Sequence, residues 1–337
     1  MPGTDLRLEE LNTYTGACPA PKDFAKHWKQ VKEQIGALAS SVSMDKLEME
    51  TEELEYYIIT VKTWDGCLLK AKYICPSKPG LHPTVIQFHD YPQSSRSWLH
   101  LSRYGAIGYA VLAPDCRGQG GMSECGEAGK GPTACGPLFH GLDGEVEDLY
   151  LHRLYEDALL WPEVAKGLKK TDGVHMAVYG EGQGGALAIA CAALYPEVEK
   201  CASQYPMLCD YKRIWEKDFS EGPYMGLFYY FKWQDPMHEK EQEIFDKLAY
   251  VDAKNFAPLL RNKVLIGIGL QDVNTPPSSQ FALANGIACD NRCCVYPNHG
   301  HELNNFFENE HLNFLIDQQA AFSVRSVLGL EQSYVSA

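Results

Sequence analysis

Gly173 to Ala190 reads GVHMAVYGEGQGGALAIA, an apolar run that meets a cluster of glycines and continues in a small-residue, apolar pattern of helical character. The reading is strand, sharp turn, helix. A turn of this kind, usually written Gly-x-Ser-x-Gly, lifts its middle side chain above a sheet, where hydrolytic sites carry a nucleophile. Here the five positions are Gly180, Glu181, Gly182, Gln183 and Gly184. The framing glycines are present, and the nucleophile position, Gly182, has no side chain. Glu181, one residue earlier, is not expected to substitute, because such a turn projects one side chain and the preceding one points elsewhere.

Working outward, β runs alternate with helical patterns. Leu54–Thr63 and Leu68–Pro76 are β runs joined by a turn containing Asp65-Gly66, a hairpin signal. Pro83–His89 and Tyr109–Ala113 are short and nearly continuous in apolar character, as strands covered on both faces are. Helices are expected over Ser95–Tyr104, Asp148–Lys169, Ser278–Ala288 and from about Asn305, with strands at Cys201–Pro206, Lys263–Gly269 and Arg292–Pro297. Residues 1–50 are charged and helix-prone, with apolar positions at helical spacing over Asp23–Leu38, and read as a peripheral helical extension. Residues 51–325 then form one α/β domain, with an insertion at about 207–251 and a tail at 326–337. The insertion carries Tyr224, Phe228, Tyr229, Tyr230, Phe231 and Trp233, which either cover the mouth of a site or pack as ordinary core. The long glycine-rich loop from Gly120 to Gly144 is expected to be functional or an insertion. The fold class is α/β: a doubly wound, mostly parallel sheet entered through antiparallel strands.

A chain of 337 residues with 45% hydrophobic residues can bury a large core. The formal charge of −14 argues against nucleic acid and anionic membrane surfaces, which need basic neutralisation. No window approaches the roughly 18 apolar residues of a membrane span. The start, MPGTDLRLEELNTY, lacks a basic segment followed by an apolar one, so a cytoplasmic protein is expected. The twelve cysteines include no C-x-x-C, and several sit inside apolar runs, as reduced buried thiols do. Disulfides in the loop holding Cys125 and Cys135, or at Cys293 and Cys294, are the alternative.

Ligands collect at the carboxyl ends of strands in a parallel sheet. Those ends supply His89-Asp90-Tyr91, Arg117-Gly118-Gln119-Gly120, the glycine turn, Asp272, and His299-Gly300-His301-Glu302. The order turn, Asp272, His301 is that of the α/β-hydrolase triad. A histidine must accept the nucleophile's proton and return it to the leaving group, and a carboxylate must orient that imidazole. His301 and Asp272 suit these tasks. The backbone N–H groups of Gln183 and Tyr91 are the expected oxyanion donors. His299 and His301 could share a metal, but spacing marks no third ligand, so no metal is expected. His89 and Asp90 read equally well as polar groups at a strand end or as lining of the site.

Arg117-Gly118-Gln119, Gly180-Glu181-Gly182-Gln183-Gly184 and His301-Glu302 together resemble the R-G-Q, G-x-S-Q-G and H-E signatures of the acetyl xylan esterase and cephalosporin C deacetylase family, the seventh family of carbohydrate esterases. FHDYPQSS, QYPMLCDYKR, KLAYVDAKNFAPLL and IGLQDVNTPPSSQFALANGI extend the resemblance over roughly residues 50–320. It implies an α/β-hydrolase that removes acetyl groups from acetylated xylo-oligosaccharides, other small acetylated sugars or cephalosporin C-like esters. No cofactor is implied, and the implied assembly is a homo-oligomer, a hexamer. By the same resemblance Asp272 and His301 are triad members, Tyr91 and Gln183 oxyanion donors, and Arg117, Gly118, Gln119 and Glu302 structural. The serine does not carry over. The chain is therefore expected to be an esterase inactive for want of one side chain or, alternatively, a catalytically dead binder of acetylated sugars or a scaffold.

Overall fold

The computed structural model describes residues 5–36, 42–124 and 133–317. Among the described residues, nine strands form one sheet in the order β1-β2-β3-β5-β4-β6-β7-β8-β9. β1 (Val42–Glu50), β2 (Leu54–Lys62) and β3 (Leu68–Pro76) are antiparallel, and β3 runs antiparallel to β5 (Ala110–Pro114). From β5 the sheet is parallel through β4 (His82–Phe88), β6 (Thr171–Glu181), β7 (Val198–Gln204), β8 (Lys263–Gly269) and β9 (Asn291–Tyr296). The chain therefore starts the parallel part in the middle and winds outward on both sides, which is the α/β-hydrolase arrangement.

The principal helices are α1 (Phe24–Ile35), α2 (Tyr150–Gly167), α3 (Gln183–Leu194), α4 (Met225–Trp233), α5 (Glu241–Leu248), α6 (Pro277–Asn285) and α7 (Asn305–Leu315). α3 is apolar all round, and every residue from Gln183 to Ala192 is buried. A helix of that composition belongs inside. It lies between β4, β6 and β7 on one side and α2 on the other, so the turn that begins it is anchored in the centre of the molecule. α1 buries Phe24, Trp28, Val31 and Ile35, one apolar stripe at helical spacing, against α2.

Two sequence expectations need correction. Residues 1–50 are not wholly helical, since Val42–Glu50 is the edge strand β1. Its pairing with β2 is irregular between Lys46 and Glu50, and its packed apolar residues do not keep a spacing of two. Val42 and Met44 pack on one face of the sheet and Leu47 on the other, so the period-2 signal breaks mid-strand. The helix expected over Ser95–Tyr104 is only Trp98–Leu101 in α form and continues as a 3₁₀ turn, Ser102–Ile107. Of the two readings of the aromatic insertion, core packing holds for three of its six aromatics, and none of the six lines the cleft described below. Tyr224, Tyr230 and Phe231 are core, while the residues around them, Gly222, Pro223 and Met225, wall that cleft. The expected tail at 326–337 and Cys125 lie outside the described residues. Of the described cysteines, Cys67, Cys75, Cys116, Cys135, Cys191, Cys201 and Cys209 are buried.

Candidate active site

The glycine turn is dictated by sterics. A Cβ on Gly180 would sit 2.0 Å from the Gly184 carbonyl oxygen, and one on Gly184 would sit 2.4 Å from that of Phe88. β6 and α3 approach too closely for any side chain there. Gly182 lies between them at φ 53°, ψ −116°, outside the usual range for a residue with a Cβ. Its N–H donates to the Gln204 carbonyl at 3.0 Å, and its own carbonyl accepts from Met207 N–H at 2.9 Å, so the corner is held from β7. Glu181 points the other way. It is fully buried, paired with Arg96, and accepts from the Tyr179 hydroxyl at 3.0 Å. Burial nonetheless raises its pKa, with Arg96 pulling it back.

Two loops deliver Asp272 and His301 to the turn. Asp272 follows β8 and is completely buried. Its Oδ1 accepts the N–H groups of Asn274 and Thr275 at 2.9 and 2.8 Å, and its Oδ2 accepts Gln280 Nε2 at 2.9 Å. These bonds leave Oδ2 aimed at His301 Nδ1, 2.8 Å away. His301 follows β9 and packs against the Tyr205 ring at 4.5 Å between centroids.

The other imidazole nitrogen does not face an empty space. Asp90 Oδ2 lies 3.1 Å from His301 Nε2. The same carboxylate's Oδ1 accepts Tyr91 N–H at 2.7 Å and Gln183 N–H at 3.0 Å, the two donors singled out in the sequence. A Cβ built on Gly182 would lie 1.8 Å from Asp90 Oδ1 and 2.3 Å from its Cγ. The carboxylate of Asp90 thus fills the space of the side chain that Gly182 lacks, and one of its oxygens occupies both donors. Of the two readings of Asp90, lining of the site is the one the structure shows. Carboxylates only accept, so both ring nitrogens of His301 carry protons and the ring is an imidazolium. Burial pulls the His301 pKa down, but Asp272 and Asp90 together push it up to about 10.

His89 takes the structural role. Its Nδ1–H donates to the Asp90 carbonyl at 2.8 Å and its Nε2 accepts Cys116 N–H at 2.9 Å, a neutral ring that ties β4's end to β5's end. Burial holds its pKa low, consistent with that tautomer. Arg117 is buried and bonds to Asp157 at 2.5 and 2.7 Å and to Asp65 at 2.6 Å. Gly118 turns the chain at φ 61°. Gln119 then pairs amide to amide with Gln183, at 2.9 and 3.1 Å, and donates to the Tyr150 hydroxyl at 3.0 Å. The motif therefore fixes the first residue of α3, whose N–H meets Asp90. Glu302 is exposed and pairs with His299 Nδ1 at 3.0 Å. His299 and His301 engage different carboxylates, and among the described residues no three His, Cys, Asp or Glu side chains gather as a metal site.

Above Asp90 and His301 opens a cleft of about 850 Å³, lined also by Tyr91, Gln93, Gln119, Met207, Met225 and Asn274. The glycine-rich loop contributes Cys135, Gly136 and Pro137 to its wall. Among the described residues, no helix is long and apolar enough to cross a membrane. Sequence reasoning missed the placement of Asp90. The available signal was adjacency: a residue directly before an expected oxyanion donor has a side chain within reach of the same donor pair.

A sequence profile of the family described as acetyl xylan esterase (AXE1) matches residues 1–318. The chain belongs to the acetyl xylan esterase family. It is 25% identical over 303 residues to the acetyl esterase Axe7A of Xylanibacter ruminicola, an alignment that covers 87% of this chain and 65% of that relative. The chain thus spans just under two thirds of the length of that curated relative. Among solved structures, it is similar to acetyl xylan esterase 1 from a Thermoanaerobacterium species (TM-score 0.88, 35% identity, 93% of this chain and 99% of that one). It is also similar to an acetyl xylan esterase from Paenibacillus sp. R4 (TM-score 0.85, 26% identity, 93% and 100%). The family architecture is therefore present over nearly the full length, and Gly182 and Asp90 sit at its centre.

Proposed function

We propose that this chain receives small acetylated carbohydrates in its cleft, as a carboxylic ester hydrolase of this family does, and does not deacetylate them by the serine route. Family membership supports the substrate class, and the mixed polar and apolar lining of the cleft suits a small sugar ester. One observation carries the second half: Asp90 Oδ1 occupies the Tyr91 and Gln183 N–H pair beside a Gly182 that offers no hydroxyl. Serine-dependent acyl transfer needs a hydroxyl beside a basic imidazole and two free donors for the oxyanion. Here the hydroxyl is missing, the imidazole is protonated and the donors are taken. In this reading Asp272 and His301 are the remaining triad members, Tyr91 and Gln183 are the oxyanion donors, and Arg117 and Gln119 brace them.

A single replacement is not expected to restore turnover, because a Cβ at position 182 collides with Asp90. Hydrolysis of a chromogenic acetyl ester by the chain, by Gly182→Ser, by Asp90→Gly and by the double variant is the test. Loss of a triad serine costs about 10⁶-fold in turnover, so the double variant should exceed all three others by roughly 10³-fold or more. A double variant that is folded but inert would show that Asp272 and His301 are no working relay. Comparable turnover by the unmodified chain would sink the proposal from the other side. Titration of the unmodified chain with acetylated xylo-oligosaccharide then separates a sugar binder from a scaffold.

A further inference from the structure

Asp90 is the buried titratable group that serine chemistry leaves without a task, and its setting is that of a nucleophile. Oδ1 is fixed by two backbone donors at 2.7 and 3.0 Å, and Oδ2 is left beside His301 at the floor of the cleft. We propose that Asp90 attacks saturated carbon, so that this site opens an epoxide, a three-membered cyclic ether, to the diol through an ester formed on Asp90. The idea shares with the deacetylase reading only the occupied donor pair.

The donor pair decides which electrophile Asp90 can serve. Attack by Oδ2 on an ester carbonyl would build negative charge on the substrate's oxygen, and the two N–H groups that could stabilise it already hold Oδ1. Attack on an epoxide carbon puts the developing charge on the ring oxygen instead, where the Nε2 proton of His301 and not the N–H pair is the group that meets it. The oxygen that needs the donors in the following step is Asp90's own, and it is already seated on them.

The bookkeeping of bonds and protons closes with the groups present. In the first step Oδ2 bonds to a ring carbon and the carbon–oxygen bond of the epoxide breaks, its electron pair going to the ring oxygen. That oxygen takes the Nε2 proton of His301, leaving a neutral imidazole beside a neutral ester. In the second step His301 takes a proton from water as the water oxygen adds to Asp90 Cγ. The tetrahedral oxyanion develops on Oδ1, between Tyr91 N–H and Gln183 N–H. Collapse breaks the Cγ–Oδ2 bond, and the departing oxygen receives the proton from His301 to give the diol. The carboxyl formed on Asp90 returns its proton to the imidazole, which restores the carboxylate and the imidazolium. Epoxide and water give diol, and no other reactant is consumed. A doubly protonated His301, flanked by two carboxylates, is the right resting state for a group that must first donate a proton and then accept one. An epoxide uses that proton; a leaving halide would not.

The experiment is a single turnover in heavy-oxygen water, with the unmodified chain in excess over styrene oxide and, separately, over 2,3-epoxypropyl β-xyloside. The expected result is diol whose new oxygen is light in the first turnover, and an Asp90 peptide that gains one heavy oxygen. Rapid acid quenching should also capture the ester as an adduct of the epoxide's mass on that peptide. Asp90→Ala, shown to be folded by its thermal melt, should lose roughly 10⁴-fold or more of the rate. Absence of diol and adduct with both epoxides would overturn the proposal. So would heavy oxygen appearing directly in the first-turnover diol with Asp90 unlabelled. Because this experiment uses the unmodified chain and an epoxide, its failure leaves the result of the acetyl ester test with the double variant untouched.

Discussion

Two buried cations in this molecule are each clasped by two carboxylates. Arg117 lies between Asp157 and Asp65, and His301 lies between Asp272 and Asp90. Their electrostatics are alike: in both, the ion is taken from water and repaid by paired charges and hydrogen bonds. The difference is in the cation and its exposure to the cleft. A guanidinium does not titrate, and Arg117 spends its donors on Asp157 of α2 and Asp65 of the β2–β3 turn, while its backbone carbonyl accepts the Tyr150 hydroxyl. An imidazolium can give up its proton, and His301 sits where a ligand can reach it. The same arrangement is a brace in one place and a reaction centre in the other.

The largest effect that could break this comparison is at the brace. Arg117→Met removes the charge but keeps much of the stem, leaving Asp157 buried without its guanidinium and Asp65 with the longer pair to Arg153 at 3.6 Å. Removing one partner of a buried pair costs about 3–5 kcal/mol, and chemical denaturation at neutral pH should show a loss of that order. A loss within the range of an ordinary surface substitution would mean that Asp157 takes up a proton and the cluster has little structural role. Burial already raises the pKa of Asp157, with Arg117 opposing that shift, so the outcome is a real contest.

The place of the brace was legible in the sequence, by resemblance, but its partners Asp157 and Asp65 were not. Arg117-Gly118-Gln119 follows an apolar run that could only be a central strand, and the amide pair of Gln119 with Gln183 gives physical content to a motif first placed by resemblance. Asp272 and His301 were legible for the same reason, since each follows a strand and a parallel sheet gathers such ends. What could not be read was direction. Asp90 follows β4 just as Asp272 follows β8, and nothing in HDYP says that its carboxylate turns back under Gly182. That turn depends on a backbone approach between β4 and α3, which no local pattern encodes. β1 escaped for another reason: its packed apolar residues, Val42, Met44 and Leu47, do not keep a spacing of two and so lie on different faces.

The second effect separates a titrating cation from a fixed one. The folded pKa of His301, about 10, lies above the roughly 6.5 of an unfolded histidine. A raised folded pKa means that the folded state holds the proton more tightly. Its contribution to stability is complete below the unfolded value and is lost as pH rises from there through about 10. The loss should be of the same order as that at the brace, at about 1.4 kcal/mol for each unit separating the two values. Tyrosines and cysteines titrate in part of the same range, so the measurement is the difference between unfolding free energies of the unmodified chain and of His301→Gln. That difference should shrink steadily as pH rises. A constant difference would show that His301 is already neutral at neutral pH, and with it the case for a protonated resting state would fall.

The smallest effect tests whether Gly182 and Asp90 are one unit. Gly182→Ala adds only a Cβ, at a positive φ and 1.8 Å from Asp90 Oδ1. Two costs are combined there: backbone strain, on the order of 1–3 kcal/mol, and eviction of the carboxylate from its two N–H donors. Asp90→Gly removes the second cost and leaves the first. The thermodynamic cycle of the two single variants and the double should therefore be non-additive, with the double more stable than the sum predicts by roughly 1 kcal/mol or more. Strict additivity would mean that Asp90 swings aside at no expense. The carboxylate would then be a movable occupant of the donor pair, and a serine at position 182 could coexist with it. A clear coupling would mean the opposite, that the missing side chain and the intruding carboxylate are alternatives for one space, so that either change is legible only in the presence of the other.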